Sequence, residues 1–245
     1  MSVNRKTQTP SLSSLSLVFP AYNDARSLPI ILRKTLILLP KITDRFEIII
    51  VDDASNDNTF AVLKKMQKSI PHLKIIAHKK NQGYGGALIT GFKAAKKKYI
   101  FYTDSDGQYD VTELLSLVIA MKKNVDIVTG FKKKRSDSVQ RKIIGACYNQ
   151  SVRLLFGLKI KDTDCDFRLF KRSLLRKLDL QTKSGAFDVE FMTKLQQNGA
   201  RFKEIGVSHY PRKFGSSQFF NLPRIYSSLR DVLMLWITMR YKPIL

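Results

Sequence analysis

The feature that most constrains this chain is an alternation of short apolar runs with segments of helical periodicity. Residues 14–20 and 46–51 are apolar and rich in branched side chains, and 73–77, 99–103 and 125–129 repeat that character. Runs of this length and composition read as buried strands. Between them, 27–39, 57–70, 83–97 and 111–122 carry apolar residues at the spacing of one helix face. Strand and helix joined by short connections predict an α/β fold, a mostly parallel sheet flanked by helices. Ligands bind such sheets beyond the carboxyl ends of the strands. The second half is less regular. There 130–142 reads as a basic loop, 142–156, 171–178 and 188–197 as helices, 200–207 as a strand, and 221–241 as a final amphipathic helix. We expect a flexible N-terminus over 1–13, one domain over 14–218, and a helical C-terminal segment over 219–245.

At 44% hydrophobic residues there is material for a full core. Two cysteines make no disulfide framework and suit a reducing compartment. No apolar run is long enough for a signal peptide or a membrane span, so neither is expected. The 43 basic residues outnumber the 20 acidic ones, for a net charge of +23. That balance favours a polyanionic partner: nucleic acid, an anionic membrane surface or a phosphorylated substrate. Nucleic acid is disfavoured, because no binding motif appears and the basic loop carries no interleaved aromatic platforms.

Three polar clusters follow predicted strands: 20–24, 52–57 and 104–108. Helix capping accounts for single residues such as Asp57 and Asp110. It does not account for three acid-rich clusters at one sheet edge of so basic a chain, since converging carboxylates repel unless a cation or hydrogen bonds hold them. Asp104 and Asp106 stand two apart at a strand end, where both side chains point the same way. Two hard oxygen ligands placed so can hold Mg²⁺ or Mn²⁺, with substrate phosphates completing the shell. The glycine loop 81–87 opens a helix, but Leu88 stands where a dinucleotide fingerprint needs glycine. Gly83 and its neighbours either admit a phosphate or sugar near a helix N-terminus or simply allow tight packing. Asp164, Asp166 and Arg168 share one dense motif, read either as an internal ion pair or as a carboxylate near the acceptor with Arg168 positioning it.

The succession Pro20-Ala21-Tyr22-Asn23-Asp24, Val51-Asp52-Asp53-Ala54-Ser55-Asn56-Asp57, Asn81-Gln82-Gly83-Tyr84-Gly85-Gly86-Ala87 and Thr103-Asp104-Ser105-Asp106-Gly107-Gln108 resembles the motifs of family 2 glycosyltransferases. The resemblance continues through Asp162–Leu169, Phe187-Asp188-Val189-Glu190 and His209–Ser217, and covers about residues 14 to 240. The branch it resembles contains dolichyl-phosphate mannosyltransferase and other polyprenyl-phosphate glycosyltransferases. It implies a GT-A fold, Rossmann-like, and an inverting transfer of a hexose, mannose or glucose, from a GDP or UDP sugar. Pro20, Ala21, Tyr22, Asp24, Asp53, Gly83 and Asp104 would bind the nucleotide sugar; the family usually has glutamate at the place of Asp24. Asp104, Asp106 and Gln108 would hold the metal and the donor diphosphate. Asp106, Asp166, Asp164 and Arg168 would carry the catalysis.

The loop 131–142 holds six basic residues and one acid. The resemblance puts the acceptor phosphate there, on Arg135 and Arg141, because arginine grips phosphate bidentately. Lys132 stands where the family often has arginine. Arg212, before a Gly-Ser-Ser loop, is a further contact for a diphosphate or lipid phosphate. The expected partners are thus a nucleotide-diphosphate sugar, a polyprenyl phosphate and an anionic membrane surface, without nucleic acid. The final helix either packs on the core or lies at a membrane interface. Attachment would be peripheral, or through a membrane partner, at the cytoplasmic face. Transfer to a glycan, lipid or protein hydroxyl is the alternative, and there Asp166 must act as a base.

Overall fold

The computed structural model describes residues 11–133, 139–214 and 222–241. Its strands are β1 (Leu15–Ala21), β2 (Phe46–Asp52), β3 (Leu73–Ala77), β4 (Tyr99–Thr103), β5 (Ile127–Lys132), β6 (Phe167–Lys171) and β7 (Phe202–Val207). Its helices are α1 (Leu28–Leu38), α2 (Thr59–Gln67), α3 (Tyr84–Ala94), α4 (Leu114–Ala120), α5 (Val139–Phe156), α6 (Phe187–Gln197) and α7 (Leu222–Tyr241). The strands make one sheet in the order β3-β2-β1-β4-β6-β5-β7. The pairings are parallel except those of β6, which runs antiparallel to β4 and β5.

Side chains alternate across the sheet and feed two cores. Leu15, Leu17 and Phe19 pack with Leu28 and Ile31 of α1, Leu63 of α2 and Leu114 of α4 on one face. Val18 packs with Leu88 and Phe92 of α3, Val152 of α5, Phe187 and Phe191 of α6, and Val232 of α7 on the other. Gly91 lets α3 lie directly on β1, because a Cβ there would sit 2.3 Å from Val18 Cγ1.

Four expectations need correction. Residues 167–171 form a central strand, where the sequence shows no clean apolar run. Residues 172–177 are a single 3-10 segment in place of the expected helix. Strand β5 continues through Lys132, and α5 starts at Val139, so both encroach on the expected basic loop. The N-terminal segment is anchored by residue 12: Leu12 is buried and its N–H donates to Ile42 O at 2.9 Å.

Among the described side chains of α7, Ser228 and Val232 are buried, while Tyr226, Leu229, Leu233, Met234 and Ile237 are exposed. Helix α5 likewise exposes Ile143, Ile144, Leu154 and Leu155. No described helix is long and apolar enough to cross a membrane.

Candidate active site

The parallel strands deliver three loops to one edge, and polar side chains tie them together. Ser105 Oγ, after β4, lies within hydrogen-bond reach of Pro20 O at 2.6 Å and of Asp24 Oδ2 at 2.7 Å. The same Asp24 oxygen accepts from Tyr22 N, and Asp24 N donates to Thr59 Oγ1 at 2.9 Å. Asn23 N donates to Ser55 Oγ, and Asn56 N returns a bond to Asn23 Oδ1. Asn23 and Ala54 hold the left-handed backbone these tight turns need, at φ 60° and 59°. Burial raises the Asp24 carboxyl above its ordinary value, against the opposing bond from Ser105.

Asp53 reaches sideways from this edge. Its Oδ1 accepts from His78 Nδ1 at 2.6 Å and Gln82 N at 2.7 Å, and its Oδ2 accepts from Gly83 N at 2.9 Å. Three of about four acceptor positions are thereby taken. Asp53 therefore shapes the glycine loop, and His78, held on its far side by Thr90 Oγ1 at 3.0 Å, fixes Asp53. Gly83 has φ 83°, and a Cβ on it would fall 2.5 Å from Lys183 O. The tight-packing reading of this glycine is the one the contacts support.

The direction of β6 assembles the acidic centre. In the antiparallel register Thr103 faces Phe167 and Tyr102 faces Arg168. Asp104, just past β4, therefore lies across from Asp166, just before β6. Arg168 is fully buried. Its Nε donates to Thr129 Oγ1 at 3.2 Å on β5, and NH2 donates to Thr163 O at 2.8 Å. Its NH1 donates to Tyr102 OH and Asp188 Oδ1, and lies 3.8 Å from Asp166 Oδ1. Arg168 is thus closed off from solvent, with its guanidinium fully engaged by the protein. Burial, then Asp188 and Asp104, push the Asp166 carboxyl well above the carboxylate range, with Arg168 opposing. Burial, then Asp106 and Asp188, do the same to Asp104, with Tyr84 and Lys132 opposing.

Asp164 lies nearer the surface than Asp166. Its side chain is 42% exposed and ion-paired with Lys132 Nζ at 3.1 Å. Lys132 also donates to Asp164 O, and its own N–H bonds Asp162 Oδ2 at 3.2 Å. Asp164, expected in the catalytic set, thus lies at the rim, where it secures Lys132.

Asp106 Oδ1 accepts from Gln108 N at 2.9 Å, and Oδ2 accepts from Arg212 NH2 at 3.0 Å. Gln108 Nε2 donates to Tyr210 O at 3.1 Å. Among the described residues no three His, Cys, Asp or Glu side chains enclose an ion. The donor set nevertheless fits a hard divalent cation bound largely by substrate. Asp104 and Asp106 are crowded carboxylates, and Asp166 Oδ1 is buried without a hydrogen bond. A cation relieves that crowding, with diphosphate and water completing its shell. Arg135 and the side chain of Arg141 lie outside the described residues, as does the loop 215–221.

Sequence reasoning assigned no role to Tyr84, Asp188 and Glu190, although they stand in its motifs, and passed over Tyr102 and His78. Asp188 and Glu190 carried a legible signal: two acids alternating with Phe187 and Val189 on the buried first turn of α6. Tyr102 OH donates to Asp188 Oδ1 at 2.8 Å, while Glu190 accepts from Gln181 N and Thr182 N.

The Glycosyl transferase family 2 profile matches residues 16–179, two-thirds of the chain, from the loop after β1 through the acids before β6. The chain belongs to glycosyltransferase family 2. This glycosyltransferase is 27% identical over 242 residues to the dodecaprenyl-phosphate galacturonate synthase of Rhizobium johnstonii, covering 97% of this chain and 71% of that one. It is 32% identical over 229 residues to the undecaprenyl-phosphate 4-deoxy-4-formamido-L-arabinose transferase of Pectobacterium atrosepticum, covering 91% and 67%. Its fold is GT-A. Glucosyl-3-phosphoglycerate synthase from Mycobacterium tuberculosis with UDP superposes at TM-score 0.67, 15% identity, over 95% of this chain and 82% of that one. A mannosyltransferase from Pyrobaculum calidifontis with GDP-Man and Mn²⁺ does so at 0.65, 19% identity, over 91% and 64%.

Proposed function

We propose that this family 2 glycosyltransferase moves a hexose from a GDP or UDP sugar to a polyprenyl phosphate, inverting the anomeric centre in one in-line displacement. The observation that carries this reading is the acceptor in the names of both relatives, a dodecaprenyl or undecaprenyl phosphate, matched over more than nine-tenths of this chain. In this reading Pro20, Ala21, Tyr22 and Asp24 border the nucleotide, and Asp53 serves it by holding Gly83. Asp104 and Asp106 hold Mg²⁺ or Mn²⁺, with Gln108 beside them. A divalent cation there neutralises the leaving diphosphate. Arg212, on Asp106, adds a second positive charge at the diphosphate. Arg135 and Arg141 grip the acceptor phosphate.

An acceptor phosphate arrives ionised and needs no base, so Asp166 orients. A hydroxyl acceptor would need Asp166 to take a proton. The exposed apolar stripe of α7, flanked by Arg230 and Arg240, matches an interfacial helix, and Arg240 stacks 5.1 Å from the Trp236 ring. We place the enzyme at the cytoplasmic membrane face, attached peripherally or through a membrane partner.

The test is incubation with a panel of nucleotide sugars, Mn²⁺ and either polyprenyl phosphate or hydroxyl acceptors, read by mass spectrometry. A sugar-phosphate lipid is expected. Product on hydroxyl acceptors alone would overturn the reading.

A further inference from the structure

Helix α5 is held to the domain by few side chains. Of those described only Val152 is buried, with Tyr148 and Phe156 half-buried against the second core, while residues 142–144, 146 and 147 are exposed. Three residues before Val152, on the same face of the helix, stands Asn149. Its Oδ1 accepts from Thr163 N at 3.0 Å and from Thr163 Oγ1 at 2.8 Å, and its Nδ2 donates to Lys161 O at 2.7 Å. Both ends of the amide therefore engage one loop, the stretch between α5 and β6.

That loop has its own ties to the sheet. Lys161 N donates to Glu204 Oε1 on β7 at 2.7 Å, Asp162 Oδ2 accepts from Lys132 N at 3.2 Å, and Thr163 O accepts from Arg168 NH2 at 2.8 Å. Asp162 and Thr163 are buried. The three bonds of Asn149 thus fix the helix to the loop more than the loop to the sheet. They also complete a chain of contacts: α5 to Thr163, Thr163 to Arg168, and Arg168 to Asp166 Oδ1 at 3.8 Å, beside the end of β4. Arg141 belongs to the same helix, eight residues before Asn149 and so about 12 Å along the axis. A tilt at Asn149 moves that end of the helix, and a bidentate arginine grip on phosphate depends on where the helix carries it.

We infer that Asn149 is a positioning residue: it sets the N-terminal end of α5, with Arg141, at a fixed place relative to the acidic edge. The inference rests on the polyprenyl-phosphate acceptor and the role of Arg141 proposed above. Its signature is selective. Asn149 bonds the loop before β6, whereas the proposed donor residues sit on the loops after β1, β2 and β4, so acceptor binding should suffer and donor binding should not.

The experiment compares the full chain with Asn149→Ala, Arg141→Ala, the double variant and Thr163→Val. It reads KM for polyprenyl phosphate, kcat, the Kd of GDP and of UDP by calorimetry, and the melting temperature. Arg141→Ala should raise the polyprenyl-phosphate KM about tenfold or more, through loss of a charge-assisted contact. Asn149→Ala should raise the same KM about tenfold, through misplacement, and leave the nucleoside diphosphate Kd at its wild-type value. In the Arg141→Ala background it should add little, because residues that act through one another are not additive. Thr163→Val removes one of the three bonds and should raise the same KM by less. An unchanged KM in Asn149→Ala, a full further rise in the Arg141→Ala background, or equal weakening of lipid and diphosphate binding with a lower melting temperature would each overturn the inference. Should Asn149→Ala not fold, Thr163→Val decides, and a KM at the wild-type value overturns it. A wild type that does not use polyprenyl phosphate, or an Arg141→Ala variant with unchanged KM, removes the acceptor reading and this inference together, and is told apart because it shows with Asn149 intact.

Discussion

Asp188→Asn tests the idea that a buried charge network, and not the visible rim, sets the geometry of the centre. The Arg168 side chain is fully buried, and Asp188 is the carboxylate at bonding distance from it. Asparagine keeps the shape and removes the charge, leaving a guanidinium in the core without its counterion. Breaking a buried pair in this way costs about 3–5 kcal/mol. Asp166 Oδ1, 3.8 Å away, is free to ionise toward Arg168 and soften the loss. The lower end, about 3 kcal/mol, is the expected value. Domains are stable by only about 5–15 kcal/mol, so this is a large share. With a urea slope of about 1–3 kcal/mol/M, the unfolding midpoint should fall by about 1–3 M. Circular dichroism across a urea titration measures it. Asp164→Asn is the comparison: that carboxylate is substantially exposed and its pair with Lys132 is worth about 0–1 kcal/mol. A smaller shift for Asp188→Asn than for Asp164→Asn would refute the reasoning, because burial would then not be what makes the Arg168 pair matter.

Asp106→Asn should abolish transfer without unfolding, and a chelator should do the same to the wild type; full activity in chelator would remove the cation from the proposal. Alkylation of the native protein should label exposed Cys147 and spare buried Cys165, whose thiol burial pushes up to about 12. The unfolded thiol ionises first, so Cys165 should cost stability as pH rises from about 9 toward 12, by about 1.4 kcal/mol per unit, a slope that Cys165→Ala removes in alkaline urea titrations. Leu233→Ala with Trp236→Ala should release the protein from anionic vesicles at low salt while sparing short soluble acceptors; a lower melting temperature with retained flotation would instead mark α7 as a packing helix.

What the sequence made legible, and what it hid, follow from one strand. The parallel elements announced themselves because strands buried on both faces read as unbroken apolar runs, as 46–51 does. Their loops showed Asp104, Asp106, Asp24 and Asp53 at one edge, since parallel strands end together. Strand β6 has no such signature. Its sequence, Phe167-Arg168-Leu169-Phe170-Lys171, places an arginine in the middle of the sheet, and a charged residue argues locally for a loop. Only the three-dimensional neighbours satisfy it: Tyr102 and Thr129 stand beside Arg168 on the flanking strands, and Asp188 comes from a helix twenty residues on. The reversal of that same strand determines the chemistry. Run parallel to β4, the start of β6 would lie at the opposite edge, and Asp166 would be a strand's length from Asp104. Run antiparallel, it sets Asp166 across from Asp104 and within the same field as Tyr84 and Asp188. The acid that the dense motif marked thus comes to lie across from Asp104 through a strand whose only local sign was a misplaced-looking arginine, and that arginine lies 3.8 Å from it.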